Sequence, residues 1–495
     1  MLVNNDWKID SRVRREATAL ASAGHEVHVI FRAGNVLDAT EHSEGVAYHS
    51  VPLTSPLPPR RQLLRLVRLH AGVAFAGWRA PGARQIWLRA AGLLAGSVAG
   101  TVLGLMLLLV LWPLLLAAVL GVFALHLVRP NSAIRERARA LAIRSVVSPV
   151  WRWVDSLHSR EYLSYMNNFG IDAKDMGVRL APDVVHSHDL HTMSTGYAIS
   201  RKLGVPLVYD AHELETHTNY WSLHPLTKQW VAVYENVLIR RVRAVVTVCD
   251  SIADWLKEQY DIERPTVVLN SPDLLAPGAQ PKETIRDRLA LAADTPLAVY
   301  VGSVTLDRGS THCVEAVALV PGLHFAFVGP RYIVTEKEIL DAAERLGVQD
   351  RIHLVDPVPS KEVTSFVSTA DCSVIAIQNV CLSYYFCFPN KLLESVISGV
   401  PVAVARLVEL ERFVGKFPVG VTMDEKDPAS IAAAIREILA DPARYRPGPE
   451  VLDRIRSEYG WPTQQAKLRG LYERILGGGP AAPAALSAAA SGTSA

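Results

Sequence analysis

The stretch that decides the fold is Phe388-Pro389-Asn390-Lys391-Leu392-Leu393-Glu394, which continues into Ser395-Val396-Ile397-Ser398-Gly399-Val400-Pro401-Val402-Ala403-Val404. Because asparagine is a favoured residue at helix starts, the pattern predicts a loop up to Pro389 and a helix capped by Asn390. Gly399 is placed to end that helix, and the apolar residues after it predict a buried strand. The stretch therefore predicts a loop, a helix and a strand in succession.

The start of this helix suits an anionic ligand. Free backbone N–H groups and the positive end of the helix dipole favour a phosphate, and Lys391 adds a positive charge at the same place. Glu394, about one turn into the helix, can accept hydrogen bonds from sugar hydroxyls. Together these features indicate a nucleotide-sugar site.

The rest of the chain alternates apolar strand-like runs with helical periodicity, which is typical of a doubly wound parallel sheet. Two series of such runs predict two Rossmann-like lobes. The first series comprises 27–31, 183–188, 204–209 and 244–248, and the second comprises 297–304, 323–328, 352–355, 372–377 and 400–405.

These series set the predicted domain boundaries. The first lobe covers 1–275 and contains an apolar insertion at 86–129, and the second lobe covers 276–448. Residues 449–476 are predicted to form helices that pack at the lobe interface. Residues 477–495 are rich in Gly, Pro, Ala and Ser, a composition that predicts a disordered tail.

Composition excludes several classes of protein. The chain has 51 basic and 49 acidic residues, so no strong positive field attracts nucleic acid, and no nucleic-acid-binding motif is present. Its 5 cysteines lack the paired spacings of a zinc site, which favours a reducing compartment. The opening residues resemble the end of a first strand, and no cleavable leader is expected before them.

The insertion contains a run without charged residues. From Ala90 to Val128 there is no Asp, Glu, Lys or Arg, which is long enough for two crossings of roughly 20 residues each or for a re-entrant hairpin. Arginines flank the run on both sides, so both ends are expected in the cytoplasm. We therefore expect a membrane hairpin at 90–128 and both lobes at the cytoplasmic face of the cell membrane; the alternative is a buried helix pair in a soluble domain.

Several motifs carry a resemblance to a known family. They are Asp10-Ser11-Arg12-Val13, Pro182-Asp183-Val184-Val185-His186-Ser187-His188-Asp189, Tyr209-Asp210-Ala211-His212-Glu213, Gly302-Ser303 with Arg308-Gly309, and Pro389-Asn390-Lys391 with Glu394. With two Rossmann-like lobes, the chain resembles the retaining glycosyltransferases of the GT-B fold, specifically glycosyltransferase family 4. The resemblance implies an NDP-sugar donor held mostly by the second lobe, an acceptor held mostly by the first, and no metal or other cofactor.

The resemblance also implies roles for individual residues. Arg308 and Lys391 are implied to stabilise the departing diphosphate, and Glu394 is implied to bind the nucleotide ribose. Two positions depart from the family pattern, because Ser303 stands where arginine is common and Phe386 replaces the first glutamate of a pair. The implied donor-binding set is Gly302, Ser303, Arg308, Asn390, Lys391 and Glu394.

On the acceptor side, the resemblance implies that His188 faces the transferred sugar and orients it. Asp189, His212 and Glu213 follow strand ends at the same edge, where open α/β sheets bind ligands, and are expected to shape the acceptor pocket. The catalytic set is thus His188, Arg308 and Lys391. A membrane anchor favours a glycan or lipid-linked acceptor.

Two alternatives belong to other classes. His186, His188, Asp189 and His191 lie close together in the sequence and could bind a metal that activates water, as in a metal-dependent hydrolase. The departures at Ser303 and Phe386 instead suggest a membrane-anchored scaffold that keeps the GT-B fold without catalysis. Sensitivity to a chelator separates the first alternative from a glycosyltransferase, and nucleotide binding separates the second.

Overall fold

The computed structural model describes residues 1–4, 10–32, 40–51, 170–219, 225–272 and 283–477. Both β-sheets lie in one compact unit of the chain, whereas helix Pro225–Ile239 lies largely in a second unit. The expected membrane hairpin and the tail after residue 477 fall outside the described residues. Among the helices that are described, none has the length and apolar character needed to cross a membrane.

The first sheet has eight strands in the order β3-β4-β2-β1-β5-β6-β7-β8, and all neighbours are parallel except β3 and β4. The register pairs His188 of β5 with Asp210 of β6. The strands are β1 Leu2–Val3, β2 Val27–Arg32, β3 Thr40–Ser43, β4 Val46–Val51, β5 Val185–His188, β6 Leu207–Ala211, β7 Ala244–Thr247 and β8 Thr266–Val267. The helices of this region are Ser11–Ala21, Gly170–Leu180, Asp189–Leu203, Pro225–Ile239 and Asp250–Tyr260, with a 3-10 turn at Glu215–His217.

The second sheet has six parallel strands in the order β11-β10-β9-β12-β13-β14. The strands are β9 Leu297–Val301, β10 His324–Val328, β11 Ile352–Val355, β12 Cys372–Ile375, β13 Val402–Ala405 and β14 Gly420–Met423. Its helices are Ile285–Leu289, Ser310–Leu319, Ile333–Leu346, Val363–Val367, Leu382–Tyr385, Asn390–Ile397, Val408–Lys416, Pro428–Ala440, Pro442–Tyr445, Pro449–Tyr459 and Trp461–Leu476, with a 3-10 turn at Gln349–Arg351. The prediction of two α/β lobes built on parallel sheets is therefore confirmed.

The strand order locates the ligand edge of each lobe. In the second sheet the order reverses between β9 and β12, and in the first sheet between β1 and β5. Doubly wound sheets bind ligands at the carboxyl ends of the strands on either side of such a reversal. A ligand site is therefore expected at the loops after β5, β6, β9 and β12.

Apolar periodicity explains how the first helix packs. In Ser11–Ala21, the buried residues Val13, Ala17 and Leu20 recur at helical spacing and contact Val29 of β2 and Tyr48 of β4. The last helix, Trp461–Leu476, adds Leu468, Leu471 and Tyr472 to the same core. The first lobe is thus completed by residues from the end of the chain.

Two local predictions differ from the structure. The antiparallel strand β3 was not predicted, because its sequence Thr40-Glu41-His42-Ser43 is polar and mostly exposed at the sheet edge. The helix after Pro389 is capped by Pro389 and not by Asn390, which is its first residue. Proline is accommodated there because its backbone is extended and its carbonyl accepts a hydrogen bond from Leu392 N at 3.0 Å.

Candidate active site

Two segments of the second lobe meet at the carboxyl end of β9. Gly302 follows the strand with φ of +103°, a conformation that side chains rarely adopt. A Cβ atom at Gly302 would lie 3.5 Å from both Cε and Nζ of Lys391. The Lys391 ammonium therefore sits directly beside the Gly302 backbone, with helix Asn390–Ile397 carrying it there.

Lys391 is held by an aromatic ring and perturbed by its surroundings. Its Nζ lies 3.6 Å from the centre of the Tyr300 ring, which favours a cation. Burial and the positive charge of Arg308 nevertheless lower the pKa of Lys391 to about 7, although Glu394 opposes the shift. A bound anion would add a second negative charge beside Lys391, after that of Glu394. It would therefore favour the charged form of Lys391.

Arg308 lies on a neighbouring aromatic face. Its Cζ is 4.6 Å from the centre of the Tyr384 ring, and its Nη2 is 3.5 Å from the Tyr384 hydroxyl oxygen. Among the described residues, no carboxylate forms an ion pair with either Arg308 or Lys391. Two neighbouring cations that no described carboxylate contacts in an ion pair form a suitable site for a diphosphate.

The remaining predicted donor residues surround this pair. Ser303 is exposed, and its carbonyl accepts a hydrogen bond from the Tyr300 hydroxyl at 2.9 Å. Asn390 opens the helix, so the unpaired N–H groups of the first turn lie next to Lys391. Burial raises the pKa of Glu394, an effect that Lys391 and Arg15 oppose. Helix and loop thus bring Gly302, Ser303, Arg308, Asn390, Lys391 and Glu394 to one edge.

In the first lobe, a buried ion pair lies under the corresponding edge. Arg12 donates two hydrogen bonds to Asp210, from Nε to Oδ2 and from Nη2 to Oδ1, each at 2.8 Å. Arg12 also donates to the carbonyl of Val268 at 2.6 Å and lies 3.0 Å from Glu16. Burial raises the pKa of Glu16 to about 8, which disfavours its charged form, whereas Asp210 accepts two hydrogen bonds and is the main partner of Arg12.

Two histidines meet the same carboxylate. His188 Nδ1 and His212 Nε2 lie 3.2 and 3.3 Å from Asp210 Oδ2. Burial alone would raise the pKa of Asp210, but the charges of Arg12 and His212 hold it well below its usual value. Burial likewise would lower the pKa of His212, yet Asp189 and Asp210 raise it to about 10. The two carboxylates therefore favour the imidazolium form of His212.

Exposure separates the predicted acceptor-side residues. The side chain of Asp189 is 30 % exposed and that of His212 is 19 % exposed, whereas His188 is fully buried. The His188 ring stacks on His186 at a centroid distance of 4.5 Å, and His186 Nδ1 lies 2.9 Å from the Tyr472 hydroxyl. Contact between His188 and a sugar stays a prediction. The buried position of the His188 side chain instead favours a role in holding Asp210.

Glu213 and its neighbours bring the two edges together. Burial and the charge of Asp189 raise the pKa of Glu213, while Arg308 from the second lobe lowers it. Next to Glu213, Leu214 N donates to the Ser383 hydroxyl at 3.2 Å. The acceptor-side edge of the first lobe therefore faces the cationic edge of the second.

The four residues of the hydrolase alternative do not converge on one metal position. His191 Nε2 lies 3.2 Å from Glu215, and Asp189 pairs with His212 at 3.4 Å. Within the described residues, the one group with suitable spacing has its ligand atoms within 4.8 Å of one another and comprises Glu16, His186, His188 and Asp210. The guanidinium of Arg12 already supplies positive charge to both carboxyl groups of that set.

Comparison with known proteins identifies the family. A sequence model described as Glycosyltransferase Family 4 matches residues 124–274, and one described as Glycosyl transferases group 1 matches residues 281–451. The chain belongs to glycosyltransferase family 4. It is therefore an enzyme that transfers a sugar.

Curated relatives agree with this assignment. This glycosyltransferase is 28 % identical over 314 residues to a D-inositol 3-phosphate glycosyltransferase of Thermobispora bispora, a match that covers 59 % of this chain and 71 % of the relative. It is 27 % identical over 315 residues to a glycogen synthase of Mycobacterium tuberculosis, with 61 % of this chain and 72 % of the relative covered.

Solved structures share the fold. The sucrose-phosphate synthase of Thermosynechococcus elongatus superposes with a TM-score of 0.62 at 17 % identity, covering 94 % of this chain and 92 % of the other. Anabaena Alr3699/HepE in complex with UDP superposes with a TM-score of 0.50 at 15 % identity, covering 61 % and 81 %. At these identities the likeness shows the two-lobed fold of this glycosyltransferase.

Sequence reasoning missed four residues that shape the site. Tyr300 and Tyr384 lie against the two cations, and no motif in the sequence assigned either of them a role. Arg12 and Asp210 appeared in the quoted motifs but received no role, because their contact joins residues far apart in the sequence. A buried arginine and a buried aspartate in two otherwise apolar elements are the signal that could have linked them.

Proposed function

We propose that this glycosyltransferase transfers a sugar from an NDP-sugar to a hydroxyl of a membrane-associated glycan or lipid-linked acceptor, with retention of the anomeric configuration. The observation that carries the donor half is the approach of Arg308 and Lys391 beside Gly302 and the start of helix Asn390–Ile397. Positive charge, backbone N–H groups and the helix dipole there suit a diphosphate.

The charges act on the departing group. In the proposed reaction the bond between the anomeric carbon and the phosphate oxygen breaks, and the acceptor oxygen bonds to the anomeric carbon on the same face. The proton of the acceptor hydroxyl passes to the departing phosphate. Because negative charge grows on that phosphate, fixed cations at Arg308 and Lys391 lower the barrier.

The proposed reaction needs no metal or other cofactor. Arg308 and Lys391 supply the charge that a divalent cation supplies in other sugar-nucleotide sites, and Glu394 is proposed to accept hydrogen bonds from the ribose. Addition of a chelator such as EDTA is expected to leave turnover unchanged. Activity lost with EDTA and restored by zinc would instead support the metal-dependent hydrolase.

The acceptor half is proposed from the uncharged run at 90–128 and its arginine flanks. A hairpin there would hold both lobes at the cytoplasmic face of the cell membrane, where a lipid-linked glycan is exposed. One relative is a D-inositol 3-phosphate glycosyltransferase. A smaller polar acceptor is therefore the competing proposal. Membranes washed with carbonate should retain the protein until detergent is added; release by carbonate alone contradicts the anchor.

The decisive experiment is a screen of purified protein against UDP-, GDP-, ADP- and dTDP-sugars, with calorimetric binding and donor hydrolysis as readouts. One nucleotide is expected to bind and its sugar to be released slowly to water. UDP-glucose is the first probe, since Anabaena Alr3699/HepE was crystallised with UDP-glucose. A protein that binds none of the four nucleotides would favour the scaffold alternative.

A further inference from the structure

Four side chains of alternating charge form a continuous row in the first lobe. Arg12 contacts Asp210 at 2.8 Å, Asp210 contacts His212 at 3.3 Å, and His212 contacts Asp189 at 3.4 Å. Side-chain exposure along the row is 3 %, 0 %, 19 % and 30 %. The row therefore runs from the core of the lobe to its ligand edge.

The inner end of the row is fixed. Arg12 is held by Asp210, by the Val268 carbonyl and by Glu16, so its guanidinium has little freedom. A buried pair of this kind is costly to break from one side only. Asp210 is therefore a rigid acceptor for the ring of His212.

The outer end carries backbone strain. Asp189 is the first residue of helix Asp189–Leu203 and has φ of +58°, in the left-handed region that few residues other than glycine adopt. Such strain persists where the surroundings impose it, and it recurs at functional sites. Here it places a carboxylate at the carboxyl end of β5, with Oδ1 on His212 and 30 % of the side chain exposed.

We propose that Arg12, Asp210 and His212 are positioning residues that fix the Asp189 carboxylate so that it accepts a hydrogen bond from the attacking hydroxyl. This inference rests on the proposed function and adds to it the residue that meets the acceptor oxygen. The hydrogen bond orients the hydroxyl toward the anomeric carbon. As the oxygen bonds to that carbon, its one proton leaves Asp189 for an oxygen of the departing phosphate, so Asp189 ends the step as a carboxylate. His188 supports Asp210 from the buried side.

Matched substitutions of His212 separate positioning from packing. Asparagine at 212 places an amide N–H near the position of Nδ1 and can still donate to Asp189, whereas glutamine places it near Nε2 and donates to Asp210. The probe is UDP-glucose, and the reaction that is followed is transfer of its sugar to water. The natural acceptor therefore does not have to be known. Calorimetry with UDP reports donor binding separately, and thermal unfolding reports folding.

Asp189→Asn is expected to lower the rate of UDP-glucose hydrolysis by roughly 10- to 100-fold, the scale of losing one positioned hydrogen-bonding group. The affinity for UDP should change by less than about twofold, because the second lobe holds the nucleotide. His212→Gln should match Asp189→Asn, and His212→Asn should be at least about tenfold faster than His212→Gln. Equal rates for the two His212 variants, or full activity of Asp189→Asn, overturn the proposal.

A measurement without ligand keeps the proposal testable if UDP-glucose proves not to be a donor. Nitrogen NMR of the unliganded protein at pH 7 should show His212 as a cation with both ring nitrogens hydrogen-bonded, and Asp189→Asn should lower its pKa. The groups that act on this ring are Asp189, Asp210, His188, Arg12, Glu16 and Glu213. A neutral His212 in the wild type refutes the row of charges, whereas failure to bind any nucleotide refutes the proposed function instead.

Discussion

At the scale of single residues, the unusual feature is the pair of cations Arg308 and Lys391. Like charges normally stay apart, yet burial and Arg308 together lower the pKa of Lys391 to about 7. The aromatic faces of Tyr300 and Tyr384 compensate part of the repulsion. The unliganded site therefore stores electrostatic strain that a bound diphosphate would release.

Removing either cation should impair sugar transfer. We expect Arg308→Ala and Lys391→Ala each to lower donor hydrolysis by roughly 100-fold, the magnitude seen when one preorganised charge-stabilising group is deleted. Steady-state kinetics on the donor found in the nucleotide screen would measure the loss. Lys337→Ala is the control, because Lys337 is exposed and pairs only with Asp341 among the described residues. Wild-type turnover in either site variant contradicts the assignment.

Lys391 should also make nucleotide binding depend on pH. With a pKa of about 7 in the unliganded protein, most Lys391 side chains are neutral at pH 8 and must gain a proton to bind the diphosphate well. Affinity for UDP is therefore expected to fall as pH rises from 7 to 9, with proton uptake near pH 8. Calorimetry in buffers of different ionisation enthalpy measures the uptake.

The control for proton uptake is Lys391→Met, which should bind UDP weakly and without this uptake. The other charged or titratable groups acting on Lys391 are Arg308, Glu394, Cys387 and Cys313. Burial raises the pKa of both cysteines to about 12, so neither titrates in this range. A UDP affinity that does not change between pH 7 and 9 would show that Lys391 stays charged throughout.

At the scale of secondary structure, the loop that carries Arg308 is shaped by Gly309. This residue caps helix Ser310–Leu319 with φ of +67°, and a Cβ there would lie only 2.6 Å from the carbonyl oxygen of Ala376. Gly347 ends helix Ile333–Leu346 with nearly the same φ, +65°, but a Cβ there would meet nothing within 4 Å. An alanine would meet the same backbone strain at both positions but steric overlap only at Gly309. Comparing the two substitutions therefore distinguishes the two effects.

Alanine at these two positions should have unequal effects. Gly347→Ala is expected to cost about 1 kcal/mol of unfolding free energy, the strain of a left-handed alanine. Gly309→Ala should cost roughly 2–4 kcal/mol, because overlap with the Ala376 carbonyl adds to that strain. Urea denaturation of both variants measures the difference, and equal losses would mean that the loop relaxes without penalty.

Helices and strands could be predicted from the sequence more readily than contacts between side chains that are distant in the sequence. Apolar runs such as Leu297–Val301 and Val402–Ala405 marked buried strands, since a strand covered on both faces has little room for polar residues. The polar edge strand Thr40–Ser43 lacked that signal. In the site, Arg308, Lys391 and Glu394 were predicted from local motifs, whereas the Arg12–Asp210 pair depends on the sheet order and could not be read from either motif alone.

At the scale of the whole molecule, polar contacts join the two lobes beside the site. Glu409 of the second lobe accepts a hydrogen bond from Ser251 N at 2.7 Å, at the start of helix Asp250–Tyr260 of the first lobe. Cys249 donates from its thiol to the Phe386 carbonyl at 3.0 Å. A carboxylate at a helix N-terminus is stabilised by the helix dipole, so Glu409 links the lobes with a specific geometry.

Removing this link should destabilise the protein. Glu409→Ala leaves the buried N–H of Ser251 without its acceptor and is expected to cost about 1–3 kcal/mol of unfolding free energy. Glu411→Ala, in the same helix but exposed, should change it by less than about 0.5 kcal/mol. Urea denaturation of the two variants provides the comparison. If both lose the same amount, the interlobe hydrogen bond contributes no stability.

The last helix, Trp461–Leu476, has a consequence for biosynthesis. Its residues Leu468, Leu471 and Tyr472 fill the core of the lobe whose strands are made first. During translation, the apolar face of those early strands is covered only after residues 461–476 have been synthesised. A premature stop before residue 461 is therefore expected to leave apolar surface of the first lobe uncovered, although that lobe lies furthest from the stop in the sequence.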